Sequence, residues 1–282
     1  MSGGSTRGTD ILWSASLPAT TVPERVAAAR AGGFAGISVS PADAEPAGTD
    51  GRTPQETSRW AADQGVEVIV VDSVIEWYPH EPPGRMLGAS AYDVGQVLEA
   101  CDRFGVGTLG ALAPFPSGEP IEELAACFAR LCDQAGEHGL QVELEFTPFP
   151  PFPDLASAWE IVSLADRPNG GILLDTWHFF RGRPDLELLA AIPGDRIMAV
   201  QLSDGLEGFR ESLLKDTFRH RELPGDGCFD LAAVLKVLDR TGGLNRVGPE
   251  VLSTELQALD PSEAAAKLAA ASEKVVAEAL GL

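Results

Sequence analysis

The chain predicts one α/β domain, a (β/α)8 TIM barrel, and three observations carry that expectation. Short apolar runs of β character alternate with longer helix-like segments, eight of each, with no linker-like stretch between them. The length, 282 residues, suits a barrel, which typically takes roughly 250. The first strand runs into Leu17-Pro18-Ala19 and not into a glycine-rich phosphate loop, which ranks a doubly wound open sheet second.

The elements follow in order. A strand over 11–17 precedes a helix over 22–31 that stops at Gly32-Gly33, where a left-handed C-cap wants glycine. The second unit joins a strand over 35–40 to a helix over 54–64, opened by Thr53-Pro54 and closed by Gly65. The third strand, 67–72, leads through a proline- and aromatic-rich insertion, Glu76–Leu87, to a helix over 89–104 and Gly105. Strands over 108–113 and 141–146 are followed by helices over 120–138 and 155–166, the former ending before Gly139. The sixth strand, 171–175, precedes a helix over 184–191. The seventh, 197–203, opens a polar insertion, Gly205–Gly227, before a helix over 230–241 and Gly242-Gly243. The eighth, 247–252, leads to a last helix over 261–280, where Asp260-Pro261 with Glu263 resembles a capping box. Both insertions follow strands, so they belong to the face of a barrel where active sites form. Met1–Asp10 is Gly/Ser/Thr-rich and reads as a disordered leader to a barrel over 11–282.

Composition narrows the function. A formal charge of −21, from 42 acidic and 21 basic side chains, repels nucleic-acid backbones and anionic lipid surfaces. No apolar run reaches the roughly 18 residues of a membrane span, so neither nucleic acid nor membrane is an expected partner. Four cysteines (Cys101, Cys127, Cys132, Cys228) lack CxxC spacing and fit free thiols in a cytoplasmic protein.

The chemistry concentrates at strand ends. Glu145, Asp175, Gln201 and Glu250 each follow a short apolar run that otherwise reads as a buried strand. An unpaired charge is costly to bury, so carboxylates placed there need a partner. Side chains alternate in and out along a strand, and that parity turns all four toward the barrel axis. Three carboxylates and an amide make a hard oxygen shell suited to Mn²⁺ or Mg²⁺, with Co²⁺ or Zn²⁺ as alternatives. Glu143 lies deeper on the same face, as a group behind the ligands. His178, three residues past Asp175, starts a loop from which it reaches substrate without joining the strand-end ring. Arg219 and Arg221, ahead of the Pro224-Gly225-Asp226-Gly227 turn, suit an anionic or hydroxyl-rich substrate. Trp13, Trp77, Phe115, Trp177 and Phe179 are expected to wall the pocket, and Asp204 with Arg181 to contact substrate or pair with each other. His80 and His220 are weaker candidates, and His138 suits a helix C-terminus.

At Leu144-Glu145-Phe146, Leu174-Asp175-Thr176-Trp177-His178, Val200-Gln201-Leu202-Ser203-Asp204, the Arg221-x-x-Pro-Gly-x-Gly turn and Pro249-Glu250-Val251, the chain resembles the sugar phosphate isomerase/epimerase superfamily of xylose isomerase-like barrels. The resemblance implies that Glu145, Asp175, Gln201 and Glu250 bind metal, that His178 acts on substrate and that Arg221 contacts it. It also implies that Glu145 or Glu250, with His178 as the alternative, moves a proton beside a carbonyl of a polyhydroxy substrate. Many members carry histidine where this chain has Gln201. Glutamine there is similar to some 3-dehydroshikimate dehydratases, although the histidine of that branch falls on Thr147 here. The expected function is therefore a metal-dependent isomerase or epimerase. A dehydratase of the 3-dehydroshikimate or inosose type and a non-catalytic sugar-binding barrel are the alternatives. The superfamily also suggests a homodimer.

Overall fold

The computed structural model describes residues 10–80, 92–114 and 116–282. Over them the strands β1 (Ile11–Leu12), β2 (Gly36–Val39), β3 (Glu67–Val74), β4 (Thr108–Leu112), β5 (Gln141–Glu145), β6 (Gly170–Asp175), β7 (Ile197–Leu202) and β8 (Val247–Pro249) pair in chain order, each parallel to the next. The ring is drawn shut where the Asp10 amide donates to the Val247 carbonyl at 2.7 Å. This is the predicted TIM barrel. Of the expected leader only Asp10 is described, and it already belongs to the barrel; the rest lies outside the described residues.

The outer helices are α1 (Val22–Gly32), α2 (Pro54–Asp63), α3 (Val94–Phe104), α4 (Ile121–Glu137), α5 (Leu155–Ala165), α6 (Thr176–Arg181), α7 (Leu186–Ala191), α8 (Leu213–Arg219), α9 (Leu231–Thr241), α10 (Thr254–Gln257) and α11 (Pro261–Leu280). Local chemistry sets many of their ends. Thr21 with Glu24, Thr53 with Glu56 and Asp93 with Gln96 form reciprocal capping boxes. Gly33, Gly105 and Gly242 take left-handed C-caps. Helix α11 packs along α1 on one side and α9 on the other, so the last helix completes the outer ring.

Two apolar layers result. The larger lies between strands and helices and includes Val142, Leu144, Leu174, Val200 and Val251. The smaller fills the barrel itself and consists of Ile11, Trp13, Val70, Leu173 and Ala199, with Ile69 against it. Leu173 packs inward and Leu174 outward, so Asp175 follows on the inward parity.

Some expected bounds are corrected. The first strand stops at Leu12 because Ser14–Ser16 wind into a 3-10 turn, with the Ser14 amide donating to Ser38 Oγ at 2.7 Å. The eighth stops at Pro249, which has no N–H for a ladder. The third runs on to Val74, and α3 starts at Val94, after its Asp93 cap. Helices α6, α8 and α10 occupy stretches read as loops. Residues 81–87 of the first insertion and 89–91 of the expected third helix lie outside the described residues.

Candidate active site at the mouth of the barrel

Glu145 is the last residue of β5, and Asp175 the last of β6. Asp175 also caps α6, its Oδ1 accepting from the Trp177 amide at 2.6 Å and the His178 amide at 3.4 Å. That cap turns residues 176–181 into helix where a loop was expected. One turn then brings the residue three positions on back over its start. His178 Nε2 accordingly lies 3.3 Å from Glu145 Oε1 and 3.4 Å from Asp175 Oδ2. His178 joins the strand-end ring and does not merely overlook it. One donor atom each from Glu145, Asp175 and His178 fall within 4.8 Å of one another, a buried trio able to hold a metal ion.

Gln201 on β7 is fully buried and donates through Nε2 to Glu250 Oε1 at 3.0 Å. Its Oε1 is a buried acceptor with no donor among the described residues. Glu250 follows β8 and lines the same pocket as Glu145 and His178. Arg221 reaches the floor from the insertion after β7. Two antiparallel bridges, Asp204 with Glu222 and His220 with Ser253, hold it on either side. Its Nη1 donates to Asp175 Oδ2 at 2.7 Å and to Glu250 Oε2 at 3.3 Å, so one guanidinium ties β6 to β8. Its Nε donates to the Thr217 carbonyl at 2.9 Å, and the ring of Trp177 lies beneath it.

Acid outnumbers base here. Burial pushes the Glu250 carboxyl well above the usual range, Glu145 adds to the push, and Arg221 opposes it. Burial alone would also raise Asp175, but Arg221 and His178 beside it hold it below its ordinary value. Beneath them Glu143 is fully buried, pairs with Arg246 at 3.1 Å and is pushed up to about 7 by burial.

Asp72 was not among the expected residues. It lies on β3 with the inward parity of Val70, lines the pocket, and is pushed well above the carboxylate range by burial and by Glu145 and Glu143. Space for it comes from the neighbouring strand. A Cβ on Gly110 would stand 2.4 Å from Asp72 Oδ1. The run Val68-Ile69-Val70-Val71-Asp72 carries the signal of the other four: apolar strand, then a carboxylate.

Several expected contacts fall elsewhere. Trp13 is part of the barrel filling below the pocket, because β1 ends before it and the 3-10 turn folds it inward. Trp177 is fully buried with Nε1 donating to Thr217 Oγ1 at 3.0 Å, and Trp77 and Phe179 belong to the outer core. Phe115 lies outside the described residues. Asp204 is buried and serves the turn, accepting from the amides of Gly205, Gly225 and Phe229 at 2.8, 3.1 and 2.9 Å. Arg181 donates instead to the Leu206 carbonyl at 2.8 Å and stacks over Trp177 and Phe229. Arg219 is exposed at the end of α8 and does not line the pocket. His138, His220 and His80 face Asp102, Glu211 and Glu76 respectively. The pocket holds about 780 Å³.

A family model described as the xylose isomerase-like TIM barrel matches residues 26–274. Among curated relatives, the 3-dehydroshikimate dehydratase of Pseudomonas aeruginosa is 28% identical over 84% of this chain and 37% of its own length. The inosose isomerase of Bacillus subtilis is 30% identical over 60% of this chain and 62% of its own length. The matched region thus spans less than two thirds of either relative. Among solved structures, the IolI protein with a bound zinc atom superposes with a TM-score of 0.83 at 18% identity, covering 97% of this chain and all of that one.

Proposed function

This chain belongs to the xylose isomerase-like TIM barrel family, and from that premise we propose a divalent-metal-dependent isomerase or epimerase of a ketose or related polyhydroxy carbonyl compound. The observation that carries the reading is the convergence of Glu145, Asp175 and His178 within 4.8 Å, beside the unpartnered Oε1 of Gln201 and the Glu250 carboxylate. The residues fit a cation: Asp72, Glu145, Asp175 and Glu250 crowd a floor to which Arg221 and His178 supply the facing basic groups, and a buried acceptor waits for positive charge. Glu145, Asp175, Glu250 and Gln201 would hold the ion with His178 alongside. The oxygen donors favour Mn²⁺ or Mg²⁺, and the imidazole also admits Zn²⁺ or Co²⁺. When bound, the ion polarises a substrate carbonyl and stabilises developing negative charge.

The chain's own residues supply the rest. Glu145 and Glu250 approach from β5 and β8, on different sides of the mouth. One takes the proton beside the carbonyl, and return from the other side inverts that carbon. Return to the neighbouring carbon isomerises it. Arg221 keeps Asp175 ionised and fixes the Glu250 carboxylate, and His178 stands within reach of Glu145 to receive or give a proton. Thr147 Oγ1, buried at the pocket wall without a partner among the described residues, would accept or donate to a substrate hydroxyl.

Dehydration is the second reading. It shares the proton abstraction, and the relative aligned over 84% of this chain is a 3-dehydroshikimate dehydratase. The test is Mn²⁺-loaded protein in D₂O with ketohexoses, ketopentoses, inososes and 3-dehydroshikimate, followed by NMR. Deuterium beside the carbonyl of a rearranged product supports the first reading, and loss of water supports the second. Binding of a sugar with no exchange in any member would overturn both and leave a sugar-binding barrel.

A further inference from the structure

The pocket is larger and more apolar than its polar floor requires. Its volume of about 780 Å³ falls high in the roughly 300–1,000 Å³ range of sites that enclose drug-sized ligands. A lone monosaccharide would leave much of it unfilled. Asp72, Glu145, His178, Arg221 and Glu250 gather on the floor and a paired Arg25 and Asp43 line one side, while apolar side chains line the walls in two other sets. Leu112, Pro114 and Phe149 come from the ends of β4 and β5; Leu214, Phe218 and Leu252 come from the segments after β7 and β8. In a closed ring of eight strands paired in order, β4 and β5 lie across the barrel from β8 and β1. Leu112 after β4 thus stands across from Leu252 after β8, and the two sets rise from separate arcs of the mouth as the walls of a slot above the floor.

From this we infer that the substrate is a polyhydroxy carbonyl compound bearing a flat apolar substituent, such as an aryl group. The hydroxylated part lies on the floor and the substituent between the two walls. The inference rests on the proposed reading of the floor as the reacting end. Continuity decides the occupant: walls and floor enclose one cavity, so what fills the slot is joined to what reaches Glu145 and Glu250. A hydroxyl-rich group between these walls would lose its hydration with few partners in return, whereas an apolar ring gains from leaving water. Proline in one wall stiffens it, which lowers the entropy lost on binding.

Calorimetry on the Mn²⁺-loaded protein with phenyl β-D-glucopyranoside and methyl β-D-glucopyranoside tests this, since the two differ only in the group offered to the slot. The phenyl compound is expected to bind roughly ten- to a hundredfold tighter, the gain from burying one aromatic ring. Phe149→Ala and Phe218→Ala, both at positions partly open to solvent, should narrow that ratio. Equal affinity for the two glycosides, or a ratio indifferent to both substitutions, would overturn the inference. Deuterium exchange into an unsubstituted inosose together with equal glycoside affinities would sink the slot but keep the proposed reaction. A phenyl preference without exchange in any carbonyl compound would keep the slot and sink the reaction.

Discussion

Glu143 permits a test that needs neither substrate nor metal. Its carboxyl is fully buried against Arg246 and is pushed from an ordinary 4.5 up to about 7. A carboxyl with a raised folded-state pKa binds its proton more tightly in the folded chain than in the unfolded one. Its favourable contribution is complete below about 4.5 and is lost as the pH rises through about 7. The difference corresponds to about 3 kcal/mol. At about 2–4 °C per kcal/mol for a large domain, that is roughly 6–12 °C in Tm. The perturbation is Glu143→Gln, which keeps the shape and removes the titration. Thermal melts of EDTA-treated wild type and variant, followed by circular dichroism from pH 4.5 to 8.5, measure it. Asp72 and Glu250 titrate in the same direction in both proteins, so the difference between the two curves reports Glu143 together with its push on Asp72. Wild type should lose stability relative to the variant as the pH rises. Parallel curves would refute the reasoning, and a wild type that gains on the variant would reverse its sign.

Other consequences can be checked alongside. Arg221→Ala leaves Asp175 and Glu250 buried without their shared partner and should cost about 3–5 kcal/mol in urea unfolding of metal-free protein; unchanged stability would show the bridge to be idle. Mn²⁺ should raise the Tm of wild type and EDTA should reverse the rise, whereas Glu250→Gln should show a smaller rise and no turnover. Full activity in that variant would remove Glu250 from the site. His178→Ala should lower both turnover and metal affinity by calorimetry, as expected of one of the trio; lost turnover with metal affinity intact would leave the imidazole to the substrate alone. Gly110→Ala forces a methyl to within 2.4 Å of Asp72 Oδ1, so it should cost about 1–3 kcal/mol and shift the Asp72 carboxyl signal in carbon NMR. An unmoved Asp72 signal would show that the glycine has another purpose.

The barrel was legible because short apolar runs and helix-like segments alternate without a break, and several helix starts are written locally, as at Thr53-Pro54 with Glu56. The floor was legible wherever strand parity alone decides orientation, as at Glu145, Asp175 and Gln201. His178 was misplaced because its position depends on a helical turn that the Asp175 cap creates, and parity says nothing about that turn. Trp13 and Trp177 were misread for a related reason: a large aromatic at a strand end can roll inward as easily as outward, and here the barrel filling and the Thr217 hydroxyl claim them. Asp204 carries a carboxylate that looks chemical in sequence, yet three backbone amides take it up. Asp72 was readable by the rule that found the others. The expected third strand, 67–72, ended on that carboxylate, yet Asp72 was not counted with the others; the strand itself runs on to Val74.

The seam between the first and last strands has a consequence for how the molecule assembles. Strand β1 has two residues and β8 three, and Gly248 presses so close to β1 that a Cβ there would lie 1.8 Å from the Ile11 carbonyl oxygen. So short a ladder leaves much of the closure to α1 and α11, which pack together outside it. These contacts join residues separated by nearly the full chain, the pairings for which loop closure costs most before any contact repays it. Closure of the ring is therefore expected late in folding. Glu250 stands directly after β8, the strand at the closing edge, and Arg221 links it back to Asp175 on β6, so Glu145, Asp175, Gln201 and Glu250 all lie on the β5–β8 side of the seam. A chain still open there keeps these groups on neighbouring strands but leaves the strand that leads to Glu250 as an uncovered edge. Fraying of this edge would loosen Glu250 before the other three, and a cation held by all four would oppose that fraying.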